Sequence, residues 1–164
     1  MTNRGKRMIA PLMSALGLFV LLAASGYAQG TAGIAGWEKD SPYNAHYAVS
    51  EFDSFKGVVE EVVDVTPMPG MAPGVAVVVR DQDGDKVNVQ LGPKSFVNPD
   101  SIGMKKGDKV KVKGVWADID GKEVFMASKM KRGESVELKV RRTKDGVPFW
   151  TLTPEELAKE KAEE

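Results

Sequence analysis

Short valine-rich segments recur through the middle of the chain, and turn-forming residues separate each segment from the next. Residues 86–91 (Lys-Val-Asn-Val-Gln-Leu) and 109–113 (Lys-Val-Lys-Val-Lys) alternate polar and apolar side chains at every position, which is typical of a strand with one buried side. Three Asp-Gly pairs, at 83–84, 120–121 and 145–146, follow or join such segments. Glycine accepts the positive φ that tight hairpin turns require, so each pair favours a hairpin. With no helical period between these turns, the sequence predicts an all-β domain.

The order of the segments indicates which kind of all-β fold the domain adopts. The strands are predicted at residues 55–65, 75–79, 86–91, 109–116, 123–131 and 136–142, with a short return at 147–150. Residues 66–74 contain three prolines and two glycines and are predicted to form a loop. A turn-rich connector at 92–99 separates the third strand from the fourth. This is the order of a five-stranded Greek-key OB barrel. We therefore predict an OB-like barrel domain over residues 53–150, including an added C-terminal β-hairpin.

The N-terminal residues read as a targeting segment. Arg4, Lys6 and Arg7 precede an uncharged apolar run from Met8 to Ala24, and small residues lie at −3 and −1 relative to a cleavage point after Ala28. Residues 1–28 are thus predicted to form a signal helix that is removed. The alternative is a retained inner-membrane anchor that faces the periplasm. Either outcome exports the rest of the chain, and we expect a periplasmic location.

The flanks of the barrel are predicted separately. Residues 29–52 begin with glycine and alanine and then carry aromatic residues, which predicts a flexible or extended arm. Its rings are Trp37, Tyr43, Tyr47 and Phe52, and we expect them to cover the edges of the core rather than to form a ligand cage. Residues 151–164 form an acidic tail. A short helix is predicted there, with Thr153 as its N-cap and Glu156 completing a capping box.

Composition excludes most catalytic chemistry. The 164 residues include no cysteine and one histidine, which excludes disulfide scaffolds, cysteine-ligated metals, thiol nucleophiles and multi-histidine centres. No nucleophile elbow, phosphate-binding loop or dinucleotide motif is present. The carboxylates of Glu60, Glu61 and Asp64 have ordinary strand spacing. We therefore expect a protein that is not an enzyme and carries no cofactor.

Charge is segregated along the chain. The 23 basic residues balance 23 acidic ones, but removing residues 1–28 takes away three bases and no acids, leaving 20 against 23. Residues 104–144 nevertheless contain thirteen bases and six acids. Lys109, Lys111 and Lys113 share one face of a predicted strand, and Lys105, Lys106, Lys129, Lys131, Arg132, Arg141 and Arg142 are candidates to extend that face. This surface predicts an anionic partner, although ordinary solvation explains the lysines equally simply.

A second candidate surface lies on the second and third strands, where ligands of OB barrels usually bind. One face of these strands carries Arg80, Lys86, Asn88 and Gln90, and the other carries valines. We expect the polar set, with the three lysines, to bind an unknown envelope protein or a small anionic ligand. Nucleic acid is a further alternative, but neither face has the aromatic rings that stack on bases. Contact with a membrane is expected only through an uncleaved N-terminal segment.

Two methionines offer a different function. Met68 and Met71 lie in the Pro/Gly loop as an M-x-x-M pair, and thioether sulfurs suit Cu(I) in an oxidising compartment. A third ligand would come from Met104 or His46. The competing interpretation is that these methionines are adaptable apolar side chains that cover the barrel mouth.

The sequence also resembles a known group of proteins. The motifs Leu-Gly-Pro at 91–93 and Lys-Lys-Gly-Asp-Lys-Val-Lys-Val-Lys-Gly at 105–114, within residues 43–150, are similar to small exported bacterial OB-fold proteins. That group includes periplasmic stress-tolerance proteins and related uncharacterised domains. The resemblance implies a barrel with a non-enzymatic binding role, or a role in stress, and it brings no catalytic residues with it. We therefore expect an exported binding or accessory protein of the cell envelope.

Overall fold

A computed structural model describes residues 32–163. The predicted signal helix at residues 1–28 lies outside the described residues. The strands are β1 (Phe52–Val65), β2 (Gly74–Asp81), β3 (Lys86–Pro93), β4 (Lys109–Ile119), β5 (Lys122–Arg132) and β6 (Val136–Lys139). The helices are α1 (Pro42–Ala45) and α2 (Pro154–Ala162), with 3-10 turns at Ala32–Ile34, Val49–Glu51, Pro99–Ser101 and Phe149–Thr151. Among residues 32–163, no helix is both long enough and apolar enough to cross a membrane.

The six strands form one sheet in the order β3-β2-β1-β4-β5-β6. Neighbouring strands in this order are antiparallel. A parallel pairing of Val89 with Phe125 and of Gln90 with Met126 joins β3 to β5 and closes β1 to β5 into a ring. The prediction of a mostly β, barrel-like domain is confirmed.

The inside of the ring is an apolar core built by strand alternation. It contains Val75, Val77 and Val79 of β2, Val87, Val89 and Leu91 of β3, and Val112, Phe125 and Met130 of β4 and β5. All nine are buried. Burying one valine or leucine side chain stabilises a fold by about 1.5–3 kcal/mol, so this interior is the main source of stability.

The outer face of β4 and β5 is divided into two halves. Near the β4–β5 turn, this face is apolar and forms a second buried cluster that includes Val115, Ala117, Ile119, Val124 and Met126. The opposite half carries the lysines discussed below. The chain segments 32–51 and 140–151, which we call the clasp, include most of the residues that cover or flank the apolar half.

The clasp contains the aromatic residues of the N-terminal arm. Trp37, Tyr43 and Tyr47 are buried in the second cluster, and the indole Nε1 of Trp37 donates to the carbonyl oxygen of Ala72 at 2.8 Å. The prediction that these rings cover core edges is confirmed for these three, whereas Phe52 is exposed. Within the segment predicted as a flexible or extended arm, residues 32–51 contain three short helical turns. Ser41 and Pro42 begin α1 as an N-cap and first helical residue.

The turns and the C-terminus follow the sequence closely, with one exception. Asp120 and Gly121 have φ values of 52° and 75°, the left-handed pair of a two-residue hairpin. The capping box of Thr153 and Glu156 begins α2 as predicted. The predicted C-terminal hairpin is present only in part, because the return strand is a single bridge between Arg141 and Pro148. Proline has no N–H for a longer ladder, and a 3-10 turn follows it.

Candidate anion-binding site

The register of four strands collects lysines on one outer surface. Lys111 of β4 lies directly opposite Lys56 of β1 and Lys131 of β5. Lys129 of β5 likewise lies opposite Lys113 and the β6 residue Lys139. We call Lys56, Lys109, Lys111, Lys113, Lys129, Lys131 and Lys139 the basic face. It unites the three lysines predicted on β4 with β1, β5 and β6.

The lysines of the basic face repel one another, and Glu137 on β6 offsets part of this repulsion. Its carboxylate lies 2.7 Å from Nζ of Lys129 and 3.1 Å from Nζ of Lys131. Burial alone would raise the pKa of Glu137, but hydrogen bonds from the two lysines hold it below its usual value. Burial, followed by the charge of nearby Lys129, lowers the pKa of Lys139. The lowered pKa of Lys139 thus reflects its partial burial and, after that, the positive charge beside it.

Glu60 relieves a second basic pair at the far end of β2 and β3. It lies 2.6 Å from Arg80 and 3.0 Å from Lys86, which are themselves opposite each other in the ladder. Hydrogen bonds from Lys86 and then Arg80 lower the pKa of Glu60. Arg80 also donates to the carbonyl oxygen of Gly84 at 2.8 Å. Its guanidinium is therefore already engaged.

A groove of about 600 Å³ lies between these two regions. Its lining comprises residues 56–58 of β1, 80–82 at the end of β2, 109–111 of β4, Lys131, Gly133 and Glu134. Five of these side chains are basic, and two, Asp81 and Glu134, are acidic. Val58 is 38% exposed at the groove. The site is thus a concave, net basic surface with an apolar patch.

Three lysines of the groove lack an acidic partner. Within residues 32–163, no carboxylate forms an ion pair with Lys56, Lys109 or Lys111. Like charges placed directly opposite each other across two strands destabilise a sheet. Lys56 and Lys111 have this arrangement, and among the described residues neither forms an ion pair that would offset it.

The predicted polar set on β2 and β3 is divided between two environments. Arg80 lies at the groove, and Lys86 is exposed beside it. Asn88 and Gln90 instead line a separate pocket of about 230 Å³. Gln90 is buried and accepts a hydrogen bond from the Tyr43 hydroxyl at 2.8 Å. The structure therefore brings only the first two residues toward the basic face.

The candidate ligands of the proposed Cu(I) site are divided between two regions of the fold. Met68 and Met71 are half-buried and pack against the second cluster, next to the clasp. Met104 is buried in the interior core, and His46 follows α1 in the clasp. Their placement fits the apolar interpretation. Within the described residues, no group of three or more histidine, cysteine or acidic side chains could hold a metal ion.

Some residues that were predicted to extend the basic surface do not lie on it, and one member of the basic face was not predicted. Arg141 is 2% exposed and lies among aromatic rings of the clasp, so its assignment to an exposed surface was wrong. Arg132 pairs with Asp108, and Arg142 pairs with acids in its own region. Lys56 was not predicted, because only the β1–β4 register places it beside Lys111.

Comparison with known proteins assigns the fold to a family. The model of the MamS/MamX magnetosome protein family matches residues 51–137, more than half of the chain. The chain belongs to the MamS/MamX magnetosome protein family. The matched residues extend from the beginning of β1 into β6, and they include every member of the basic face except Lys139. The match thus covers the strand ring of this chain, whereas most of the clasp lies outside it.

This assignment corrects the resemblance to periplasmic stress-tolerance OB-fold proteins, which was wrong. The motifs that suggested it form the end of β3 and the turn and strand of β4. Alternating valine and lysine with flanking glycine reports a strand and its turns, and such patterns recur in unrelated β proteins. No curated protein and no solved structure matches the chain.

Proposed function

We propose that the protein is a non-enzymatic accessory protein of the cell envelope, associated with magnetosomes, and that its basic face binds an anionic partner. Membership of the MamS/MamX magnetosome family supports the association. The predicted signal segment at residues 1–28 supports export to the periplasm, with an inner-membrane anchor as the alternative.

The fold proposed for this role is an OB-like Greek-key barrel. Strand β1 pairs with both β2 and β4, and the parallel contact of β3 with β5 completes the ring. This connectivity supports an OB-like assignment. The proposed binding surface lies across β1, β4 and β5, so it differs from the β2–β3 face that OB barrels usually use.

The observation that carries the binding proposal is the unpaired lysine group Lys56, Lys109 and Lys111 in a groove. Unpaired like charges cost stability, and an anionic partner would offset that cost while it is bound. The non-enzymatic part of the proposal rests on the described groove lining, in which four of the twelve residues are lysine and none is histidine. The lining also lacks aromatic rings, which disfavours single-stranded nucleic acid as the partner.

The test uses the tagged full chain in a magnetosome-forming bacterium. Magnetosomes are isolated, washed with increasing salt, and probed for the tag. The groove variant combines Lys109→Glu and Lys111→Glu. The control variant combines Lys144→Glu and Lys161→Glu. The control lysines are exposed and have no ion pair among the described residues.

We expect the unmodified chain and the control to stay on magnetosomes at low salt and to be released as salt screens the charges. The groove variant should be released already at low salt. Equal retention of the two variants would contradict the binding surface. Absence of the unmodified chain from magnetosomes would contradict the association itself.

A further inference from the structure

Two carboxylates each serve a neighbouring basic pair on the outer surface. Glu60 bonds both Arg80 and Lys86, and Glu137 bonds both Lys129 and Lys131. In each case one acid offsets repulsion between cations that strand pairing brings close together.

Among the described residues, no carboxylate forms an ion pair with Lys56, Lys109 or Lys111, and all three lysines line the groove. Directly opposed residues such as Lys56 and Lys111 have Cβ atoms about 4.5–5.5 Å apart. Lys109 lies two residues along the same strand face, about 7 Å away. The long lysine side chains span such separations, so three ammonium groups can reach one bound group.

The donor types indicate what kind of anion fits there. The planar fork of arginine binds two oxygens of a carboxylate or of a phosphate at once. Among the described residues that line the groove, the only arginine is Arg80, and it is bonded to Glu60 and to the Gly84 carbonyl. The remaining cations are lysines, which act as point charges with rotatable donors. Three such donors suit an anion with nearly two negative charges and three acceptor oxygens, which is a phosphoryl group.

We propose that Lys56, Lys109 and Lys111 form a receptor site for the phosphoryl group of a phosphate monoester. This inference rests on the proposed function and names the ligand chemistry of its binding surface. Val58 lies in register between Lys109 and Arg80 and is 38% exposed. It offers an apolar contact to the carbon portion of the ester. The headgroup of phosphatidic acid and a soluble phosphate monoester share this chemistry.

The experiment titrates the full chain with glycerol 3-phosphate by calorimetry and measures its flotation with phosphatidylcholine vesicles that contain or lack phosphatidic acid. The test variant is Lys56→Gln with Lys109→Gln and Lys111→Gln. A matched triple variant replaces the exposed lysines Lys39, Lys144 and Lys161 by glutamine. The thermal midpoint of each variant is measured as well. Removing like-charge repulsion should leave the test variant at least as stable as the unmodified chain.

We expect binding of glycerol 3-phosphate, of phosphatidic acid vesicles, or of both, with affinity reduced roughly tenfold or more in the test variant and little changed in the matched variant. Binding of the soluble ester alone identifies a soluble ligand, and binding of the vesicles alone identifies a headgroup. Binding of neither probe overturns the inference, as does an equal loss in both variants.

A further titration, with polyglutamate, distinguishes failure of this inference from failure of the proposed function. If polyglutamate binds through the three lysines and neither phosphate probe does, the phosphoryl assignment is wrong and the anionic partner carries carboxylates. If the phosphate probes bind but the chain is absent from isolated magnetosomes, the site stands and the magnetosome association fails.

Discussion

The guanidinium carbon of Arg141 lies 4.8 Å from the ring centroid of Trp150. It also lies 5.2 Å from the Tyr47 ring and 5.8 Å from the Tyr43 ring. Arg141 is almost fully buried and, within residues 32–163, has no carboxylate partner. Its Nη1 donates to the carbonyl oxygen of Gly146 at 3.2 Å. Aromatic rings from both ends of the described chain thus hold one buried cation and join the two clasp segments.

Replacing Arg141 by alanine should destabilise the fold by about 2–4 kcal/mol, because the change leaves a cavity and removes the cation–π contacts. Arg142→Ala is the matched control. It breaks partly exposed ion pairs with Asp145 and Glu160, which should cost about 1 kcal/mol or less. Urea unfolding followed by tryptophan fluorescence measures both changes. Equal destabilisation of the two variants would show that the aromatic enclosure contributes nothing.

The hydroxyl of Tyr43 should make stability depend on alkaline pH. Burial raises the pKa of Tyr43 to about 12, although the charge of Arg141 opposes the shift. In the unfolded chain, tyrosine titrates near pH 10, so between pH 10 and 12 the unfolded state loses the proton first. The stabilisation is complete below about pH 10 and is lost as pH rises to 12, by on the order of 2 kcal/mol.

Tyr43→Phe cannot lose this proton and isolates the effect. The variant should be less stable at neutral pH, because the buried Gln90 oxygen loses its donor. Between pH 10 and 12, however, its free energy of unfolding should fall less steeply than that of the unmodified chain. Parallel curves for the two proteins, measured by urea unfolding across this range, would contradict the assignment.

Gly74→Ala should disturb the clasp from the barrel side. A Cβ atom at this position would collide with the indole ring of Trp37 and lie 2.9 Å from the carbonyl oxygen of Gly92. We expect a cost of about 1–3 kcal/mol from overpacking, with a changed near-ultraviolet circular dichroism spectrum. Gly84→Ala is the control, since its Cβ meets no atom. It should cost stability through its positive φ and leave the aromatic spectrum unchanged.

Strand positions were predictable because alternation and Asp-Gly turns act locally. Residues 109–113 begin β4 where the sequence predicts a strand, and the turn at Asp120 and Gly121 needs only neighbouring residues. The clasp was less predictable. Its helical turns are held by contacts such as the Trp37 bond to Ala72, far away in sequence. Tertiary packing of this kind leaves no periodic pattern in residues 32–51.

The candidate site was predictable only in part for the same reason. Lys109, Lys111 and Lys113 share a strand, so their common face follows from the period of two. Lys56 joins them through the β1–β4 register, which a single strand does not encode. Arg141 shows the reverse error. Its polar side chain predicts exposure, whereas three aromatic rings make its burial favourable.

Glu60→Gln should strengthen anion binding at the groove. The lowered pKa of Glu60 keeps its carboxylate charged at neutral pH, where it occupies Arg80 and Lys86. Removing the charge frees the Arg80 guanidinium at the groove wall, so the affinity for glycerol 3-phosphate should rise about twofold to fivefold at low salt.

Asp64→Asn is the control, because this exposed acid of the same strand pairs with Lys94 away from the groove. Calorimetry at low and high salt should show a gain for Glu60→Gln alone, and the gain should disappear as salt screens the charges. An unchanged affinity at low salt would mean that Arg80 does not contribute to binding.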